Sequence, residues 1–157
     1  MMVPMIKKEF IEFEKYHKNI YNIYFHIVCG FIFMTLLFSL CKNYSNVLLI
    51  IYSLLLLFII HNLFSIHTLF TTFIITLIIT FTIFMILFIM IYFIKKYKFK
   101  TSTLFLLFLV FYFLPDLSHY LTNEPSMLNI NNITPLSLFT NIFYLLPFSI
   151  MCLSNSE

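Results

Sequence analysis

The chain has 157 residues, of which 62% are hydrophobic and 10% are charged, against roughly 45–50% and 25% in a typical soluble domain. A soluble fold of this size has too little interior to bury that much apolar side chain. The composition excludes a soluble enzyme, a disordered tail and a nucleic-acid-binding protein. It predicts an all-α integral membrane helical bundle. Cys29, Cys41 and Cys152 lie in apolar runs without Cys-x-x-Cys spacing, so we expect buried free thiols.

The first eighteen residues predict an amphipathic helix at the membrane surface. Within 5–18, Ile6, Phe10 and Phe13 recur at helical spacing and fall near one face, while the other side of the helix carries charge, at Lys7, Lys8, Glu12 and Lys15. This pattern is typical of a helix with one apolar side, and it precedes the first long apolar run.

Four apolar runs predict membrane spans at about 24–41, 47–64, 69–94 and 103–115, and a weaker run predicts a fifth at 136–153. A spanning helix needs roughly 20 residues, so the run that ends at Pro115 is short. Residues 116–135 are polar and predict the one sizeable loop. Because no internal repeat is visible, we expect a single membrane domain.

The span count has a consequence for the five histidines. If four spans cross the membrane, His17, His26, His61, His67 and His119 all come to or near the same membrane face. Orientation stays open, because four lysines flank that face and five flank the other. The cluster at 95–100 weakly favours the second face as cytosolic.

Histidine is costly in lipid, and neutral imidazole is a good ligand for iron, zinc and copper. His17 and His26 are nine residues apart, which places them on opposite sides of one straight helix. Both can face one site only if a helix ends near Asn19 and a new one starts near Asn22, where Asn is a favoured N-cap. Asn22 and His26 then lie one turn apart on the same face. For His61 and His67, simple snorkelling to the interface is the favoured interpretation.

His119 lies where the fourth span gives way to the polar loop. Together with Asp116 or Glu124, it offers the histidine and carboxylate ligands that leave open positions on ferrous iron. The alternative is that Asp116 caps a helix and that Glu124 is solvated.

Two blocks of the sequence resemble a known family. The first is Tyr16 to His26, with the spacing Y-H-x-N-x-x-N-x-x-x-H, and the second is Ser118-His119-Tyr120-Leu121-Thr122-Asn123-Glu124-Pro125. With the chain length and the span count, they resemble the small membrane family that includes the fungal 2-hydroxy fatty acid dioxygenase of phytosphingosine degradation.

The resemblance implies an endoplasmic reticulum enzyme that uses Fe(II) and dioxygen to shorten a lipid substrate, a 2-hydroxy fatty acid, by one carbon. It implies that His17, His26 and His119 are the iron ligands. Asn19 and Asn22 are expected to orient them or to hold the substrate, with further contributions from Lys18, Asp116 and Glu124. The alternative is a non-enzymatic membrane scaffold or a transporter subunit. Thr72, Thr76 and Thr80 are the candidate lining of a transport path, although their spacing suits helix packing equally well.

Overall fold

A computed structural model describes residues 2–63, 69–125 and 135–155 of the chain, and the side chains of 6–63, 71–125 and 142–153. Within these ranges the chain is helical and has no strand, which confirms the all-α prediction. In chain order the helices are α1 (Met2–Tyr16), α2 (Ile20–Leu40), a 3-10 turn (Lys42–Tyr44), α3 (Ser45–Leu63), α4 (Leu69–Lys96), α5 (Thr101–Thr122) and α6 (Pro135–Asn155).

Among the residues that the structure describes, four segments are long and apolar enough to cross a membrane, namely Ile20–Leu40, Lys42–Leu63, Thr71–Lys96 and Thr101–Thr122. The chain is therefore an integral membrane protein. The first of these segments is 56% buried, against 22–28% for the other three, whose exposed apolar side chains are suited to lipid. The fifth predicted span lies in α6. Its described apolar part, Ile142–Leu153, is shorter than a bilayer requires, so this span stays a prediction.

The fourth span is longer than the sequence predicts. Helix α5 continues through Pro115 to Thr122. A proline removes one hydrogen bond from a helix, and membrane helices tolerate this loss. The helix ends where Asn123 adopts a left-handed backbone (φ 56°) and the N–H of Glu124 donates to the carbonyl of His119 at 3.0 Å. This is the Schellman type of helix end, in which Asn is a common substitute for glycine. The predicted loop therefore begins at Asn123 rather than at 116, and His119 lies on a helix.

The structure divides into two compact units, Met1–Gly30 with Phe111–Glu157, and Phe31–Val110. In the first unit, α1 packs on α6 through aromatic rings. Phe148 lies edge-on to Phe10 and Phe13, with ring centroids 5.4 and 5.5 Å apart. The predicted apolar face of α1 is therefore buried against protein, a contact that the sequence pattern alone does not reveal.

Helix α2 approaches α6 closely at Gly30. A Cβ atom at this position would lie 3.2 Å from Cβ and 3.6 Å from Cα of Leu146. The missing side chain lets the two helices touch, as small residues do in membrane helix packing.

In the second unit, α3 and α4 pack along each other. Thr72, Thr76 and Thr80 are buried on α4, and the Thr76 hydroxyl donates to the Thr72 carbonyl at 2.7 Å. Their burial fits helix packing. The ring of Phe38 on α2 also meets Tyr52 on α3, with centroids 5.6 Å apart.

The close approach at Gly30 generates a testable prediction. Replacing Gly30 with Leu forces α6 away and should lower the free energy of unfolding by about 1–3 kcal/mol, the usual cost of overpacking. Val28→Leu, on the exposed face of the same helix, is the matched control and should change stability little. Thermal unfolding in detergent can be followed with a thiol-reactive dye, because Cys29 and Cys152 are buried free thiols. Equal melting temperatures for both variants would contradict the close contact.

Candidate metal centre

The candidate site forms around a break between α1 and α2. Helix α1 ends at Tyr16 and α2 begins at Ile20, so the predicted break between His17 and His26 is confirmed. The new helix starts two residues before Asn22, and Asn19 provides its side-chain cap. The Asn19 Oδ1 accepts a hydrogen bond from the N–H of Tyr21 at 2.9 Å. The expectation that Asn22 caps the helix is wrong, since Asn22 lies inside the first turn and is buried.

The carboxylate of Glu124 holds this break in place. Its Oε1 accepts from the backbone N–H groups of Lys18 and Asn19 at 2.6 and 2.7 Å, and its Oε2 accepts from Asn22 Nδ2 at 2.6 Å. The first N–H groups of a helix have no partner within the helix and carry a partial positive charge, which favours a carboxylate there. Glu124 is therefore bound at the start of α2 rather than solvated.

Three histidines come together beside the break. His17 follows α1, His26 lies in the second turn of α2 and His119 lies in the last turn of α5. All three are at most 3% exposed, and one ring nitrogen from each lies within 4.8 Å of the others. Their ring centroids are 4.5 to 4.9 Å apart. The described residues thus contain a buried histidine triad that can hold a metal ion.

Backbone carbonyls fix the tautomers of two of these rings. His17 Nδ1 lies 2.8 Å from the Phe13 carbonyl, and His26 Nδ1 lies 2.9 Å from the Asn22 carbonyl. Because a carbonyl only accepts, both Nδ1 atoms carry the proton, and each Nε2 of the neutral ring presents a lone pair. Burial first, and then the charge of the neighbouring His26, lower the pKa of His17 to about 3, so this ring is neutral at pH 7.

The two lone pairs face each other. His17 Nε2 and His26 Nε2 are 3.2 Å apart, and neither has a proton to place between them. Two imidazole nitrogens bound to one ion at about 2.1 Å lie roughly 3.0–3.4 Å apart for bond angles of 90–109°. The observed spacing therefore fits two ligands of a shared cation.

His119 carries its proton on the other ring nitrogen. Its Nδ1 lies 3.2 Å from Asn22 Nδ2, which can only donate, so Nδ1 accepts and Nε2 carries the proton. The amide of Asn22 is oriented by Glu124 on one side and by the Ser118 hydroxyl, which donates to Asn22 Oδ1, on the other. Asn22 therefore keeps the proton of His119 on Nε2 in the metal-free protein, and the ring can bind an ion through Nε2 only if this proton moves to Nδ1 and the contact with Asn22 is lost.

The other candidate residues are placed as follows. Asp116 is half-buried one turn before His119 on α5, and no carboxylate joins the three imidazoles among the residues that the structure describes. The histidine and carboxylate ligand set is therefore not the one assembled here. His61 belongs to the second unit, near the ring of Phe73, and does not join the triad. His67 lies outside the described residues.

A cavity of about 420 Å³ opens beside His17. Its walls combine apolar side chains, among them Ile11 and Ile23, with Lys15, Lys18 and the carboxylate of Glu14. The backbone of Lys18 is held by Glu124 while its side chain is exposed. The cavity therefore offers apolar contacts and charged groups of both signs, with Lys18 as a lysine outside the Lys15–Glu12 ion pair.

Sequence reasoning missed the role of Ser118. Its buried hydroxyl contacts Asn22, lies 2.7 Å from the Pro115 carbonyl and lies 3.3 Å from His26 Nδ1. The only available signal was its position directly before His119. The pairing with Asn22 spans 96 residues and is not visible in any local pattern.

No family model, curated protein or solved structure matches this chain. The resemblance to the dioxygenase family therefore rests on the two sequence blocks, the chain length and the span count, and the function is inferred from this resemblance together with the geometry of the site.

The role of Glu124 can be tested by deletion. Glu124→Ala leaves two backbone N–H groups and the Asn22 amide without their acceptor, which should cost about 1–3 kcal/mol of unfolding free energy. Glu12→Ala is the matched control, because Glu12 makes an exposed ion pair with Lys15 that is worth less than about 1 kcal/mol. Dye-detected melting of the two variants gives the comparison, and equal losses would show that Glu124 does not anchor α2.

The lowered pKa of His17 predicts acid sensitivity of the metal-free protein. The unfolded chain protonates this ring near pH 6.5, while the folded chain does so only near pH 3. Since the unfolded state binds more protons between these values, stability should fall as pH drops from about 6.5. In chelator-treated samples, His17→Phe should flatten the dependence of melting temperature on pH. An unchanged slope would mean that His17 is not buried as a neutral ring.

Proposed function

We propose that this chain is an iron-dependent dioxygenase of the endoplasmic reticulum membrane that shortens 2-hydroxy fatty acids by one carbon. The observation that carries the proposal is the pair of facing Nε2 atoms of His17 and His26, 3.2 Å apart in a buried site that His119 completes. Two buried acceptors without a donor are unfavourable, and a cation bound between them removes that cost.

Three neutral imidazoles suit zinc, copper and iron alike. Iron is preferred here because the resemblance implies it. When bound, ferrous iron supplies the redox chemistry that lets dioxygen react with an organic substrate. His17, His26 and His119 would hold the ion, and the carbonyls of Phe13 and Asn22 would keep the first two rings oriented through their Nδ1 protons.

The surroundings of the site support a lipid substrate. His26 lies in the second turn of a helix long enough to span a membrane, so the triad sits near an end of that helix. The cavity beside His17 offers Lys18 to a carboxylate, and Ile11 and Ile23 to an acyl chain. A 2-hydroxy fatty acid combines these two features.

The overall reaction balances without another reductant. One dioxygen and one 2-hydroxy acid give either the acid one carbon shorter with carbon dioxide and water, or the aldehyde one carbon shorter with carbon dioxide and hydrogen peroxide. In both cases the carbon that bears the hydroxyl is oxidised, its bond to the carboxyl carbon breaks and dioxygen is reduced.

Metal content is the first test. Protein purified anaerobically in detergent with ferrous iron should carry about one iron per chain by elemental analysis, and the variant with His17→Ala and His119→Ala should carry almost none. His61→Ala is the matched control and should keep its iron. A folded wild-type protein without metal would overturn the proposal and favour the scaffold interpretation.

Activity is the second part of the same test. Iron-loaded protein supplied with 2-hydroxypalmitate and dioxygen should release a product one carbon shorter, and the double variant should not. Peroxide measured in parallel distinguishes the aldehyde from the acid. If the protein binds zinc stably and shows no turnover, the metal centre is supported but the dioxygenase proposal is overturned.

A further inference from the structure

A second cavity, of about 360 Å³, lies within the unit Phe31–Val110. It forms where the end of α2 and the following turn meet the end of α4 and the start of α5. Its polar lining includes Ser39, Lys42, Lys95, Lys98 and Thr101. We call it the lysine cavity.

The charge of this unit is one-sided. Between Phe31 and Val110 the sequence has five lysines and no aspartate or glutamate. Among the described residues, Lys95 Nζ donates to a neutral oxygen, Asn46 Oδ1, at 3.4 Å and forms no ion pair. In α1, by contrast, Lys15 pairs with Glu12 at 2.8 Å. Several cations that share one concave surface without a carboxylate in their unit favour a bound anion.

A buried hydroxyl in the same cavity also lacks a partner. Ser39 is only 6% exposed, and among the described residues its Oγ has no hydrogen-bond partner. A buried hydroxyl left in this state costs about 1–3 kcal/mol. It can donate to an anion that enters the cavity. Thr101 begins α5, whose first N–H groups add further donors.

Lysines at this position are expected for two reasons that need no ligand, but these reasons do not account for Ser39. Lys95 stabilises the C-terminal end of α4, and long lysine side chains commonly snorkel to the membrane surface. Neither effect explains a buried serine without a partner. Lys42 and Lys98 also adopt left-handed backbones (φ 45° and 48°), a conformation that favours glycine or asparagine.

We propose that the lysine cavity binds a phosphate group, supplied by the headgroup of an anionic phospholipid. Lysine is a frequent phosphate ligand, and a phosphate monoester presents three acceptor oxygens. The remaining lining includes Ile94, Phe99 and Leu104, which offer apolar contact to the glycerol and the first carbons of the acyl chains. A phospholipid matches both parts of the lining.

The proposal can be tested by native mass spectrometry and titration of the detergent-purified protein with short-chain phosphatidic acid. We expect a retained lipid adduct that Lys95→Gln with Lys98→Gln weakens by about tenfold. Ser39→Ala should weaken it severalfold with little change in melting temperature. Lys7→Gln with Lys8→Gln is the matched control, because these exposed lysines lie on α1, and it should leave the affinity unchanged.

Two further ligands separate the possible sources of the phosphate. Phosphatidylcholine should bind weakly, because its choline cation is repelled by the lysines. If inorganic phosphate at millimolar concentration displaces the lipid, the cavity binds the phosphate group itself, and free phosphate competes with the lipid for it. Equal binding of phosphatidylcholine and phosphatidic acid, or equal losses in the two lysine pairs, would overturn the proposal.

Discussion

The candidate metal centre depends on one carboxylate, that of Glu124. It accepts two backbone N–H groups at the start of α2 and the side-chain amide of Asn22, about one hundred residues earlier in the chain. These contacts fix the angle at which α2 leaves the break after α1. Without them, the start of α2 loses the contacts that orient it relative to His17, and Asn22 loses one of the two partners that position its amide beside His119.

The geometry of the triad also has an energetic meaning. In the metal-free protein the neutral rings of His17 and His26 present two lone pairs to each other in a buried environment. A low effective dielectric makes this arrangement costly, as it does for any buried acceptor without a donor. The packing around the two imidazole rings holds them in this arrangement despite the cost. The ring of Phe13, for example, stacks on that of His17 with their centroids 3.7 Å apart. Metal binding and folding are coupled in such a site, because the ion stabilises only the folded arrangement.

Much of this arrangement could be predicted from the sequence, and the limits have physical causes. The length of the apolar runs predicts the spans, and the nine-residue separation of His17 and His26 requires the break that is observed. The sequence predicts the end of α5 too early, because a proline such as Pro115 usually ends a helix in water, whereas a membrane helix tolerates it. The binding of Glu124 to the start of α2 cannot be predicted from the sequence pattern. It joins residues far apart in the chain, and a carboxylate next to a proline is equally typical of a solvated loop.

The distance between the parts of the triad along the chain affects how the site is made. Asn22 and His119 are 97 residues apart, and at a synthesis rate of roughly 5–20 residues per second the later block follows the earlier one by roughly 5–20 seconds. During that interval α3 and α4 have to be inserted into the membrane. His17 and His26 are already synthesised, but Glu124 and His119 are not yet present to complete the site. A metal ion that needs all three histidines could therefore bind only late in biogenesis, after α5 has been inserted.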